Sequence, residues 1–284
     1  MSLINYDIRL GGRIEKIRRF LESNKIDLSE CLDPESLGTL RTIFERKIRY
    51  WDCRPMTTDT AAVVSPADAR MLVGSFDQSS ALFLKEKFFH FSELLGNTRT
   101  NWLKAFEGGA WAIFRLTPDK YHYNHTPVAG VVLDFYQIDG ANHSCNPYAV
   151  VTLATPFSKN ARAVTIIDTD VKGGTGAGLV AMIEITALMI GEVVQCYSHF
   201  RYDSPRTIRE GMFLDRGCPK SLYRPGSSTN VLIFQPHRIR FDSDLVANMN
   251  RLDCTSRFSD GFGRSLAETE VQVRSKIGSV AQRS

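Results

Sequence analysis

Apolar residues in the first part of the chain recur at helical spacing. Ile14, Ile17, Phe20 and Leu21 form one set, and Leu37, Leu40, Ile43, Phe44, Ile48 and Trp51 form a second after Asp33-Pro34. The spacing predicts an amphipathic helical segment over residues 1–54. Beyond Pro55 the pattern changes to short β-branched and aromatic runs separated by Gly, Pro and Asn: AAVV, WAIFRL, VAGVVLDFYQI, YAVVTLA, AVTIIDTDV, GEVVQCYSHF and TNVLIFQ. These runs are too short and too close together for repeated βαβ units. The expected class is therefore α+β, with a β-rich antiparallel or mixed sheet over residues 55–284 and the helical segment in front of it. Phe83 to Gly96 reads as a small helix or turn, and the closing SLAETEVQVRSKIGSVAQRS as a last strand or helix with a polar tail.

Composition narrows the partners. Of 284 residues, 43% are hydrophobic and 23% charged, an ordinary globular balance that excludes disordered and fibrous classes. Lys and Arg exceed Asp and Glu by 35 to 31, too small an excess to predict a nucleic-acid partner. The basic residues do cluster in the second helical set, where Arg41, Arg46, Lys47, Arg49 and Arg54 stand with Tyr50 and Trp51. Such a face suits an anionic membrane surface, and equally a solvated helix packed on the rest of the protein.

The start MSLINYDIRLGGRIEK lacks the apolar run of a secretory signal, and Ala177 to Gly191, the most apolar stretch, is too short to span a bilayer and contains Glu184. The expected location is cytoplasmic or peripheral to a membrane, with reduced cysteines. No Cys or His spacing predicts a metal site. The Gly-rich run from Lys172 to Gly178 lacks the spacing of a phosphate loop and reads as a tight β connection.

Three local patterns could carry chemistry. Gly226-Ser227-Ser228-Thr229 lies just before a strand; by itself it is a turn, and it is also a place for a nucleophilic serine. The YHYNH stretch offers His122 and His125 as bases, although a His-x-x-His pair is commonly structural. Ser65-Pro66-Ala67-Asp68 supplies a carboxylate after an apolar run, which could equally be a turn residue or a helix cap.

These patterns occur together with three longer stretches: Phe83 to Asn97 (FLKEKFFHFSELLGN), Trp102 to Val131 (with its YHYNH) and Arg224 to Gln235 (RPGSSTNVLIFQ). In this order they resemble the phosphatidylserine decarboxylase family, from about Val64 to Phe241. The resemblance implies a pyruvoyl-dependent carboxy-lyase that cuts itself and makes its own cofactor from a serine. A Ser hydroxyl attacks the preceding carbonyl, the ester eliminates, and the new terminus becomes a ketone that forms a Schiff base with the substrate amine.

Carried over residue by residue, the resemblance implies Asp68, His125 and a serine as the self-cleaving triad, and His122 for proton transfer in decarboxylation. A neutral imidazole near pH 7 can take the serine proton, and a carboxylate can fix its tautomer. Two serines fit. Alignment of the strand after the cut points to Ser228, whereas a preference for Gly before the cut points to Ser227. The implied product is phosphatidylethanolamine, with a phospholipid substrate, a membrane surface as partner and room for a homo-oligomer. A soluble, for example aromatic, amino acid as substrate, or an uncleaved binding protein, are the alternatives left open.

Overall fold

The computed structural model describes residues 12, 14–15, 17–76, 90–141, 143–144, 156–189, 192–254, 256, 258–259 and 265–281. Its strands are β1 (Ala62–Val64), β2 (Ala69–Ser75), β3 (Ala110–Leu116), β4 (Tyr123–His125), β5 (Gly130–Ile138), β6 (Arg162–Asp168) and β7 (Leu179–Met189). They continue as β8 (Val193–Gln195), β9 (Phe213–Leu214), β10 (Pro219–Tyr223), β11 (Gly226–Phe234), β12 (Ile239–Phe241), β13 (Thr269–Val271) and β14 (Lys276–Val280).

Among the described residues, eight strands form one sheet in the order β13-β2-β3-β11-β7-β6-β5-β9, and two three-stranded sheets, β4-β10-β8 and β1-β14-β12, accompany it. Every pairing among these strands is antiparallel. The predicted α+β class is the one found. The runs 83–89 and 148–154 lie outside the described residues.

Alternation along the central strands divides the core in two. Trp111, Ile113, Ile183, Ile185, Val231 and Ile233 face Leu94, Leu95, Phe106 and Phe157 of the short helices Phe91–Leu95, Thr100–Phe106 and Pro156–Lys159. The intervening positions Ala112, Phe114, Met182, Leu232 and Phe234 face Val63, Val128, Tyr223 and Ile277, contributed by the smaller sheets and a loop. Each fully buried Ile, Leu or Phe stabilises the fold by roughly 1.5–3 kcal/mol relative to exposure. Because β7 is covered on both faces, its sequence is a continuous apolar run rather than an alternating one, and it was not among the predicted strands. The Gly-rich run joins β6 to β7 as a hairpin, as its composition predicts, with Gly173, Gly176 and Gly178 at φ of +79°, +84° and +72°.

The N-terminal segment corrects two expectations. Its second apolar set does not make one helix but two short ones, Leu40–Phe44 and Tyr50–Cys53. Thr39 and Thr42 form a capping box at the first, and between the two helices Ile48 makes a β-bridge with Cys31. Nor is the basic face wholly outward. Arg46 and Arg54 are buried, and Arg46 donates to the carbonyls of Ile43 and Asp119 at 2.9 and 2.7 Å. Tertiary packing explains both, since Ile48 and Tyr50 share a cluster with Tyr121, Tyr123, Leu222 and Val273.

Candidate active site

The site grows out of one end of β3. Leu116, the last residue of β3, pairs with Ser228 on β11, and the chain then runs through Thr117–Lys120 to His122 and β4. β4 pairs with β10, which leads through Arg224 and Pro225 directly into β11. Tyr223, at the end of β10, joins the two regions: its N–H donates to the His122 carbonyl at 3.0 Å and its hydroxyl to the Thr229 carbonyl at 2.8 Å. The histidine loop and the Gly-Ser-Ser-Thr stretch, remote in sequence, are thereby adjacent.

Ser228 is buried and opposite Thr186 of β7 as well as Leu116. It shares a strand face with Asn230 and Leu232, the face turned towards the smaller sheets. Ser227 is opposite Ala187, one step out of phase, and the register with β7 shifts between Gly226 and Ser227. Pairing with β3 begins only at Ser228, so the 227–228 peptide lies where β11 leaves its neighbour. Bulges and strand ends of this kind free backbone groups from the ladder and are frequent beside reacting groups.

Both histidines are fully buried. His122 Nδ1 lies 2.7 Å from the Lys120 carbonyl and His125 Nδ1 lies 2.9 Å from the Gly217 carbonyl. A carbonyl only accepts, so each neutral ring carries its proton on Nδ1 and presents a lone pair at Nε2. Burial pushes both rings down to a pKa of about 3, with Arg46 adding to the effect at His122 and Arg274 and Arg54 at His125. Both are neutral near pH 7 and able to accept a proton. The Nε2 of His122 is buried without a hydrogen-bond partner, and the Phe44 and His122 ring centroids are 4.4 Å apart. The Nε2 of His125 is 3.0 Å from the Tyr121 hydroxyl.

Asp68 is close to this site but engaged elsewhere. Its carboxylate accepts from Arg54 Nε and Nη2 at 3.0 and 2.8 Å and from the Val273 N–H at 2.8 Å, and Arg54 in turn holds Glu30. The tie from this turn to His125 is made by backbone: the His125 N–H donates to the Pro66 carbonyl at 2.7 Å. The predicted carboxylate and imidazole therefore belong to one packed unit without a direct bond between them.

Beside Ser228 lies a polar cluster that sequence reasoning missed. Fully buried Lys220 donates to Glu184 and Gln195 at 2.7 and 2.8 Å, and Ser221 and Asn124 donate to the other Glu184 oxygen. Asn230 pairs with Glu184 across the strands, and its side-chain nitrogen and oxygen are both buried without partners. Glu184 in the middle of the most apolar run was the available signal, since a carboxylate there needs a buried partner.

A family profile described as phosphatidylserine decarboxylase matches residues 40–258, which include Asp68, His122, His125, Ser227 and Ser228. The chain belongs to the phosphatidylserine decarboxylase family. It is 29% identical over 258 residues to the phosphatidylserine decarboxylase proenzyme of Fusobacterium nucleatum, covering 88% of this chain and 78% of that one. The corresponding proenzyme of Chlamydia trachomatis serovar L2 is 30% identical over 251 residues, 87% of this chain and 77% of its own. Rice phosphatidylserine decarboxylase proenzyme 2 is 33% identical over 242 residues, covering 83% of this chain and 36% of that longer protein. Among the described residues of this decarboxylase-family chain, no helix is long and apolar enough to cross a membrane.

Proposed function

We propose that the protein decarboxylates phosphatidylserine to phosphatidylethanolamine, using a pyruvoyl group that it makes from Ser228 by self-cleavage of the 227–228 bond. The observation that supports this most directly is the pairing of Ser228 with Leu116, which sets the candidate serine at the root of the loop carrying His122 and His125. Ser228 is preferred to Ser227 because it shares its face with Asn230, opposite Glu184, which Asn124 of the histidine loop contacts.

In the cleavage step the Ser228 hydroxyl oxygen adds to the carbonyl carbon of Ser227 and its proton passes to the neutral imidazole of His125. The C–N bond then breaks and the proton goes to the amide nitrogen, leaving an ester. Loss of the Cα proton of 228 and breakage of its Cβ–O bond then free a chain that ends in the Ser227 carboxylate, and water converts the dehydroalanine left at 228 to a ketone with loss of ammonia.

The surroundings suit that group. His122 Nε2 and both side-chain polar atoms of Asn230 are buried without partners, and Asn230 shares the strand face of Ser228, so polar groups free to bind a ketone or substrate stand in this region. When present, the pyruvoyl ketone supplies an electron sink for the pair left behind as carbon dioxide departs. Asp68 and Arg54 hold the 65–68 turn under His125, and His122 Nε2, which carries a lone pair at rest, is assigned to take the proton that the substrate ammonium must lose and to return it to the substrate carbon. The diacyl substrate requires approach to a membrane surface.

Intact mass of the purified protein tests the reading. The wild-type chain is expected as two fragments, one of them beginning with pyruvoyl at 228, and Ser228→Ala as a single uncut chain, while Ser227→Ala still cleaves. Phosphatidylserine vesicles should then release carbon dioxide with the cleaved protein only. Cleavage of Ser228→Ala, or a cleaved protein inert towards the lipid, would rule out the corresponding half of the proposal.

A further inference from the structure

Phe200 is 60% exposed, in the loop between β8 and β9. The loop is closed and pinned. Tyr197 and Arg206 exchange backbone hydrogen bonds of 2.9 Å in each direction, the Asp203 N–H donates to the Phe200 carbonyl at 3.0 Å, and Ser198 Oγ donates to the Asp203 carbonyl at 2.6 Å. Within it Arg201 and Ser204 hold left-handed backbone, at φ of +53° and +46°. Residues other than glycine adopt that conformation at a cost, which the surrounding bonds sustain. A fixed turn thereby presents the Phe200 ring to solvent, where the hydrophobic effect alone would draw it inward.

The loop meets the N-terminal segment at this point. The Arg201 guanidinium lies over Trp51 and Phe200, 4.3 and 5.0 Å from their ring centroids, and the Lys47 ammonium lies over Tyr202 at 5.3 Å. The Tyr50 hydroxyl donates to the Arg201 carbonyl at 3.4 Å and the Tyr202 hydroxyl to the Ile48 carbonyl at 2.9 Å, so the two segments make one surface. Residues 47–52 and 199–206 carry Lys47, Arg49, Arg201 and Arg206 against Asp52 and Asp203. All four cations are exposed, and Asp52 stands 3.9 Å from Arg49. The basic face expected of the N-terminal segment is therefore divided. Arg46 and Arg54 turn inward to structural partners, while Lys47 and Arg49 stay outward beside the loop.

An exposed aromatic ring, a half-buried tryptophan and cations on one face have the chemistry of an anionic lipid interface: the rings enter the headgroup layer and the cations stay at the phosphates. The surface also lies close to the histidines. The Tyr50 ring separates it from His125, with centroids 5.3 Å from Trp51 and 4.7 Å from His125. We propose that Phe200, Arg201 and Trp51 dock the protein on anionic phospholipid membranes and so bring the site to its substrate. The inference deepens the reading above and rests on it for the lipid substrate.

Sedimentation with vesicles tests it. Phosphatidylcholine vesicles containing phosphatidylglycerol offer an anionic surface with no amine to react, so binding is read apart from turnover. The wild-type protein should bind them more tightly than pure phosphatidylcholine and lose the difference in high salt. Phe200→Ser should weaken binding about tenfold. Arg201→Ala should weaken it about fivefold, on the anionic vesicles only. Leu252→Ser, at a 92% exposed side chain outside both segments, should leave it unchanged. With phosphatidylserine as substrate, Phe200→Ser and Arg201→Ala should lose rate on vesicles and keep it on a short-chain, monomeric form, with self-cleavage and melting as in the wild type.

Wild-type affinity in both variants, or a wild-type protein that does not bind the anionic vesicles, would overturn the proposal. So would the loss in Phe200→Ser of a dimer seen by light scattering, which would give the face to a second copy of the chain. A cleaved protein that binds vesicles through Phe200 and Arg201 but leaves phosphatidylserine intact would remove the decarboxylation reading and leave the docking surface standing.

Discussion

The Nδ1 of His125 meets the carbonyl of Gly217 at 2.9 Å, with no carboxylate on that nitrogen. A carbonyl selects the tautomer as firmly as an aspartate does but contributes no full negative charge, so the neutral ring is the resting form. His122, held by the Lys120 carbonyl, obeys the same logic.

Acid should therefore destabilise the fold through these two rings. Their native pKa of about 3 lies below the ordinary value of 6.5, so between those pH values the unfolded chain binds more protons than the native one. The stabilisation is fully present above pH 6.5, shrinks as pH falls through that value, and is exhausted near pH 3. At pH 5 it has lost roughly 2 kcal/mol per histidine. Urea unfolding of the uncut Ser228→Ala chain at pH 7 and pH 5 measures this. Replacing either ring with Gln should flatten the dependence by about half, and an unchanged slope would show that the rings titrate normally.

The Arg54–Asp68 pair supplies a second measurement. Both side chains are buried and joined by hydrogen bonds from Nε and Nη2, with Glu30 on the outer side of Arg54. Arg54→Met leaves the Asp68 charge in the interior, and loss of one partner of a buried pair costs about 3–5 kcal/mol. Asp68→Asn retains an acceptor for the Val273 N–H, so its cost is smaller. Both should slow self-cleavage, since the turn they brace accepts the His125 N–H at Pro66. Equal stability of Arg54→Met and the parent in urea would show that the pair is not a brace.

Much of this architecture was legible in the chain. β3, β5, β6 and β11 alternate or end at turn residues, whereas the YHYNH stretch, read as a loop, holds strand β4 from Tyr123 to His125. What could not be read has a common cause. β7 is buried on both faces and loses its alternation; Arg46 and Arg54 look like solvated cations until their carbonyl and carboxylate partners are seen. The partners of the histidines are backbone carbonyls and the Tyr121 hydroxyl. No side-chain pattern encodes a backbone acceptor.

Phe44 links the N-terminal segment to His122, with ring centroids 4.4 Å apart. Desolvation is the largest cause of the low His122 pKa, so Phe44→Ala, by admitting water, should raise it towards the ordinary value. Titration of the His122 ring resonances in the uncut Ser228→Ala chain reads this directly. The same substitution should leave His125, which is covered by Tyr50 and Tyr121, close to its original value. A His122 that titrates as before would mean that the covering comes from elsewhere.

The Glu184–Lys220 pair tests whether the polar cluster beside Ser228 serves stability or specificity. Both side chains are completely buried, and every Glu184 oxygen is hydrogen-bonded. Lys220→Met strands the Glu184 carboxylate and should destabilise the uncut chain by about 3–5 kcal/mol. Lys220→Met combined with Glu184→Gln removes both charges and keeps Gln195, Ser221 and Asn124 supplied with an amide. It should therefore recover most of that loss, because a neutral hydrogen-bonded cluster avoids the desolvation of two ions. Self-cleavage separates the two roles. If the double variant folds as well as the parent but cleaves slowly, the charges orient the loop around Asn124 relative to Ser228, and if it cleaves at the parental rate their contribution is confined to folding.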